Sequence, residues 1–182
     1  MAKRDKEVIT IGSAKLYMAL FEDAMPTRET LFTEENRKGY IKSGAAVEYV
    51  EEPHEEKDDL GYMSKLVTLA EEALVKCGLI AWNGDTLPYL IDRCKVTTEG
   101  GFRRVKIGGA GNAQGKYYAI GLWHEDKQDG DVFVIVKGRN TKGLTLTYAT
   151  DNGTLIEPEF KAMPQDGDGT LIDYYEEIGA SA

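Results

Sequence analysis

The loop GGAGNAQG at residues 108–115 is the stretch that most invites chemistry, because closely spaced glycines let a backbone wrap a phosphate. Such a site needs a strand before the loop and a helix N-terminus after it, whose free amides and dipole hold the anion. Residues 102–107 read as the strand, but residues 116–120 (KYYAI) read as a second strand and not as a helix. The glycine spacing departs from the dinucleotide fingerprint, and no Lys-Ser or Lys-Thr follows as in a P-loop. A flexible interstrand loop is the expectation. Asp126, Asp129 and Asp131 around Gly130 suggest calcium, but they lack the twelve-residue loop and closing glutamate of an EF-hand. They read as a solvated turn. His54 and His124 are the only histidines and lie in separate segments, too few for a zinc site. His124 beside Glu125 could act as a base and its orienter, yet no Ser or Cys lies in a recognisable nucleophile turn. Cys77 and Cys94 each sit among apolar residues and read as buried, inert thiols. These residues predict no catalytic set, no metal site and no cofactor.

The elements around them are mostly strands. Residues 8–11, 15–21 and 45–50 read as short strands. Residues 93–98 and 102–107 pair about Glu99-Gly100-Gly101, and residues 117–124 and 131–137 flank a turn at Gln128-Asp129-Gly130. Residues 144–150 and 154–163 flank Asp151-Asn152-Gly153, and 170–176 closes the series. Residues 84–93 are a short helix candidate with Pro88 in its first turn. Residues 64–78 carry Leu66, Leu69, Ala70, Ala73, Leu74 and Cys77 at helical spacing, so periodicity favours a helix there, although alternation is also present. From residue 117 onward the chain is strand and turn without convergent reactive groups, which points to building over catalysis.

At 182 residues the chain suits one domain, 1–182, with a mobile polar arm at 1–7 and a long polar loop at 24–39. In that loop Leu31 and Phe32 are the adjacent large apolar residues. They serve either as an anchor for a neighbouring subunit or as a plug that folds back on the chain's own core. The net charge of −9 opposes a nucleic-acid-binding face, because phosphate contacts need clustered Lys and Arg. The acid is densest over residues 48–59, which read as a solvated strand edge and loop. No signal peptide or membrane span is evident, so synthesis in a cytoplasm is expected.

Several stretches together resemble the major tail tube proteins of long-tailed (siphovirus-type) bacteriophages of Gram-positive hosts and their prophages. They are AVEYV at 46–50 running into KDDLG at 57–61, GLIAWNG at 78–84, VKIGGAGN at 105–112, HEDKQDGDVFV at 124–134, GRNT at 138–141, and EFKAMPQD at 159–166 with GTLI at 169–172. They span roughly residues 45–175 in order. The resemblance implies a mainly β subunit, a sandwich or barrel with one flanking α-helix, in which residues 64–82 are strand. It implies a structural virion protein, not an enzyme. Six copies form a ring, and rings stack into a tube that resides in the virion tail. A tape measure protein lies inside, terminator and distal tail proteins sit at the ends, and DNA passes through the bore without specific binding. No cofactor and no membrane partner is implied. The −9 charge suits an acidic bore, with the hairpin 117–137 as one candidate lining and an outer-surface turn as the alternative. Two other readings stand beside this one. The first is the tube protein of a contractile tail or tail-like bacteriocin. The second is a soluble ligand- or carbohydrate-binding β-sandwich in which Trp82, Trp123 and tyrosines form a stacking surface.

Overall fold

The computed structural model describes residue 4 and residues 6–178. The chain is mainly β, with 48% strand against 8% helix. In chain order the elements are β1 (Lys15–Leu20), α1 (Arg28–Leu31), β2 (Tyr40–Lys57), β3 (Ser64–Ala81), α2 (Leu87–Leu90), β4 (Cys94–Glu99), β5 (Phe102–Ile107), β6 (Tyr118–His124), β7 (Val132–Asn140), β8 (Glu159–Met163) and β9 (Asp173–Glu176). Seven of the strands form one antiparallel sheet in the order β1-β6-β7-β8-β3-β2, with β9 also paired to β7. Strands β4 and β5 form a separate two-stranded ribbon. The expected flanking helix reduces to two single turns of four residues each, α1 and α2.

Strands β6 and β7 lose clean alternation because both of their faces are covered. On one face Leu16, Met18, Ile120, Leu122 and Val136 join Val75, Leu79, Ile156 and Phe160 in the main core. On the other face Tyr17, Ala119 and Ile135 meet Leu31, with Phe32, Met25 and Trp123 packed around them. The loop 24–39 is the cover of this second face. Thr27 caps α1 with its side chain, and that turn delivers Leu31 at 0% exposure. The Phe32 ring stands 4.9 Å from Phe133 and 5.1 Å from Tyr17. Gly121 makes the space: a Cβ there would lie 2.7 Å from the Phe32 ring and 3.0 Å from Leu31. Leu31 and Phe32 therefore plug their own subunit, and the neighbour-anchor expectation is replaced by the self-packing one.

Three other expectations change. Residues 64–78 are strand, inside β3, against the helical periodicity and as the resemblance implies, and pair with β2 along its whole length. The register jumps from Glu52↔Ala70 to Pro53↔Thr68, so Leu69 is an extra residue in a bulge. That single insertion places Leu66 and Leu69 at a spacing that mimics a helix. Residues 144–150 form no strand, because Ile156 bridges Leu79 of β3 instead of a hairpin partner. Leu144 and Leu146 still pack on the core. Residues 8–11 form no strand, and Ile9 and Ile11 are exposed. Of the arm 1–7, residues 1–3 and 5 lie outside the described residues, while Arg4 is buried.

Truncating a fully buried leucine removes its transfer energy and leaves a cavity, together about 2–5 kcal/mol. Leu31→Ala is expected to lower monomer stability by about 3 kcal/mol in chemical denaturation. A change under about 1 kcal/mol would show that the loop 24–39 is not part of the subunit core.

Candidate functional site

The residues with chemical potential turn out to be engaged locally. In the loop 108–115 a single 3-10 turn, Ala110–Asn112, leads into β6, and Asn112 Nδ2 donates to the Gly108 carbonyl at 2.6 Å. Gly115 N–H donates to Asp92 Oδ1 at 2.9 Å. No helix N-terminus follows to receive a phosphate. Asp126 accepts the N–H groups of Gln128 and Asp129, both at 3.0 Å, and these hold its carboxyl below the usual range. Asp131 accepts from Asp126 N–H and from Trp123 Nε1, both at 2.9 Å. Arg4 closes the turn, donating through Nε to the Gly130 carbonyl at 2.8 Å and lying 3.7 Å from the Asp126 carboxylate. Among the described residues no group of three or more His, Cys, Asp and Glu has a metal-binding arrangement.

His124 donates through Nδ1 to the Ser13 carbonyl at 3.0 Å, whereas Glu125 pairs with Lys15 at 2.6 Å. The two neighbours in sequence are not a base and its orienter. His54 lies 3.1 Å from Glu56 on the far ribbon. Cys77 and Cys94 are free and buried. Burial pushes the Cys77 thiol up to about 12 and raises that of Cys94. Neither tryptophan offers a stacking platform. Trp82 packs on the main core with Nε1 toward the Thr154 carbonyl, and Trp123 stacks on Phe133 in the second cluster. The hairpin 117–137 is the middle of the sheet, so its strands are covered and only the turn at 125–130 reaches solvent.

What remains is a surface, the outer half of the β2–β3 hairpin. At about 3.4 Å per residue, 18 residues run about 60 Å, against a radius of gyration of about 16 Å for a compact domain of this size. β3 is buried at Ala73, Val75, Cys77 and Leu79 and exposed from Ser64 through Glu72. β2 is exposed throughout from Ala46 to Lys57. Among the described residues the outer edge of β3 beyond Leu74 has no partner strand and β2 is the edge of the sheet, which is why Pro53 is tolerated there. The tip is closed by Asp58, whose carboxylate accepts Met63 N–H at 2.6 Å and Leu60 N–H at 3.2 Å. Large apolar side chains stud this ribbon in the open: Val50 at 61% exposure, Leu66 at 68%, Leu69 at 64% and Tyr62 at 84%.

The ribbon also carries the charge. Residues 47–72 hold nine carboxylates and two lysines, leaving 22 acidic and 20 basic residues in all the rest of the chain. Glu51 and Glu71 stand directly opposite each other, a destabilising like-charge pair. The Tyr49 hydroxyl lies 3.1 Å from Glu51 and 2.8 Å from Glu71, and these carboxylates, Glu71 foremost, push its pKa up to about 12. Between the strands lies an open groove of about 480 Å³ with Val50, Pro53, Ala70 and Leu74 as its floor. The carboxylates on that same face are Glu48, Glu52 and Glu72, of which Glu48 pairs with Lys76 at 2.6 Å and Glu72 with Lys161 at 2.7 Å, while the Glu51–Glu71 pair projects from the opposite face with Tyr49. The sequence marked the acid run but not the apolar residues facing it across the hairpin, because they lay in the segment with helical spacing.

No protein-family model matches this chain, and no curated protein matches it significantly. Among the described residues no helix is long and apolar enough to cross a membrane.

Two outcomes follow from this geometry. A two-stranded ribbon without a third strand is marginal in water, so its backbone bonds open at low free energy. Hydrogen exchange of the free subunit should be fast over residues 50–70 and slow over β6 and β7. Equal protection of the two regions would mean that the ribbon is supported within the monomer. For the thiols, the folded pKa of Cys77, about 12, lies above its ordinary 9.0. Its contribution to stability is therefore complete below about pH 9 and is lost as pH rises toward 12. Tyr118, also pushed by burial to about 12, acts in an overlapping window from its ordinary 10.0 upward. The denaturation midpoint should fall across pH 9–12, less steeply in Cys77→Ala, and neither cysteine should react with a thiol reagent at pH 8 before unfolding.

Proposed function

We propose that this chain is a structural subunit that assembles into a tube, of the kind found in the tails of long-tailed bacteriophages. The observation that carries the reading is the β2–β3 ribbon. It extends well past the body, its outer edges are unpaired among the described residues, and its apolar side chains are largely exposed. Burying one such side chain contributes roughly 1.5–3 kcal/mol, and pairing an open edge removes an aggregation liability. Both gains are open only to a neighbour. The resemblance in the sequence supplies the form of the assembly: six copies in a ring, rings stacked into a tube, ribbons joined into a continuous wall. A tape measure protein inside and terminator and distal tail proteins at the ends complete the partner set.

The ribbon's acid supports the same reading. A wall built from elements with nine carboxylates and two lysines each gives a bore that repels phosphate, so DNA slides without adhering. The ribbon takes the place of the hairpin 117–137 as the candidate lining, since the latter lies inside the sheet.

Concentrated, purified protein is expected to form rings or tubes by negative-stain electron microscopy, with ribbon amides gaining protection on assembly. Leu66→Ser with Leu69→Ser should leave the monomer folded, because both side chains are exposed, and should block assembly. The free protein should bind no DNA even at low salt. A strictly monomeric protein at high concentration, or tight and salt-sensitive DNA binding, overturns the reading.

A further inference from the structure

The second ribbon, β4–β5, is the electrostatic opposite of the first. It carries Lys95, Arg103, Arg104 and Lys106 against a single Glu99. The antiparallel register pairs Cys94↔Ile107, Val96↔Val105 and Thr98↔Arg103 on one face, and Lys95↔Lys106, Thr97↔Arg104 and Glu99↔Phe102 on the other. The first face is turned to the body: Cys94 is buried, Val105 packs on the core, and Arg103 reaches Asp85 at 2.5 Å. The second face is exposed. On it Lys95, Arg104 and Lys106 make no ion pair or hydrogen bond through their side chains among the described residues, and Phe102 at the tip is 78% exposed. Lys95 opposite Lys106 is a like-charge pair, as Glu51 opposite Glu71 is on the long ribbon.

Shape agrees with charge. The β2–β3 groove has an apolar floor and a rim of glutamates. The β4–β5 tip has an apolar ring flanked by cations. Among the described residues the two ribbons make no ion pair or hydrogen bond with each other, so their meeting requires a second molecule. We propose that Phe102 of one copy seats in the groove of Val50, Pro53, Ala70 and Leu74 of the next, with Arg104, Lys106 and Lys95 pairing with the rim glutamates. The two patches differ and lie on one chain, so the contact is heterologous and propagates from copy to copy until it closes a ring or extends a stack. The docking rests on the tube-building reading and names the contact that drives it.

The test uses the full-length protein and two charge-reversal variants, Arg104→Glu with Lys106→Glu, and Glu52→Lys with Glu72→Lys, the latter two on the face of the groove floor. All four positions are exposed, and thermal melts of the monomers confirm folding. Each variant alone is expected to raise the concentration needed for assembly roughly tenfold or more, the scale of one or two lost charge pairs. An equimolar mixture should recover assembly, because each variant's reversed ribbon matches the other's, and copies then alternate. Phe102→Ser should weaken assembly without changing the monomer melt. If the wild type assembles while both variants assemble equally well, or the mixture is no better than either alone, the docking is wrong and the tube reading stands. A wild type that never assembles removes both.

Discussion

Three backbone pairs between β3 and β8, Leu74↔Lys161, Val75↔Phe160 and Lys76↔Glu159, fasten the long ribbon at the point where its outer half leaves the body. They sit where β3 turns from fully exposed to fully buried, with Val75 and Phe160 in the core and Lys161 paired to Glu72 at 2.7 Å just outside it. Inward of this seam the sheet is closed on both faces, by the main core on one side and by the Leu31–Phe32 plug on the other. Outward of it the ribbon has, among the described residues, neither a core nor a third strand. The subunit therefore has one part that is complete by itself and one that is not. Apart from His54, the candidates for chemistry lie in the complete part, where Asn112, Asp126, Asp131 and Glu125 are engaged by their neighbours. The incomplete part is where a partner has something to add.

Much of the complete part is legible in the sequence. Strands β1, β6 and β7 show apolar runs bounded by Gly-rich or Asp-rich turns, and both cysteines read as buried thiols. The misreadings have specific causes. A bulge at Leu69 shifts the apolar pattern of β3 by one residue and mimics a helical face. Residues 144–150 alternate like a strand, but their expected partner Ile156 is already bonded to Leu79 across the molecule at 2.7 and 2.9 Å, a long-range choice that local pattern does not encode. Leu31 and Phe32 could belong to either subunit until the space above Gly121 was located. The candidate site was half legible. Its acid was plain in residues 48–59, whereas the groove floor needs the cross-strand register that brings Val50 and Ala70 onto one ribbon. Phe102 beside two glycines carried a weak signal, an exposed aromatic at a turn, that only the burial pattern makes visible.

The placement of charge also bears on how such a subunit stays usable before it assembles. A long, flat, apolar-studded ribbon with two open edges is a template for pairing with identical ribbons. Crowding nine carboxylates onto it, while the rest of the chain is nearly neutral, opposes that pairing, since every ribbon meets its own copy as a like charge. Screening at physiological salt has a range of about 8 Å, so the repulsion acts at contact distance, where edge pairing is decided. The same carboxylates favour a surface of opposite sign, and the subunit carries one on β4–β5. Charge on the ribbon thus selects between two encounters of the same two molecules: it penalises ribbon against ribbon in a random approach and rewards ribbon against the basic hairpin in a directed one. Once that directed contact has oriented neighbouring copies, the apolar residues and free edges can be buried in register. The like-charge cost is then set against backbone pairing along some 18 residues, a contest that the encounter of two free ribbons enters with no orientation fixed.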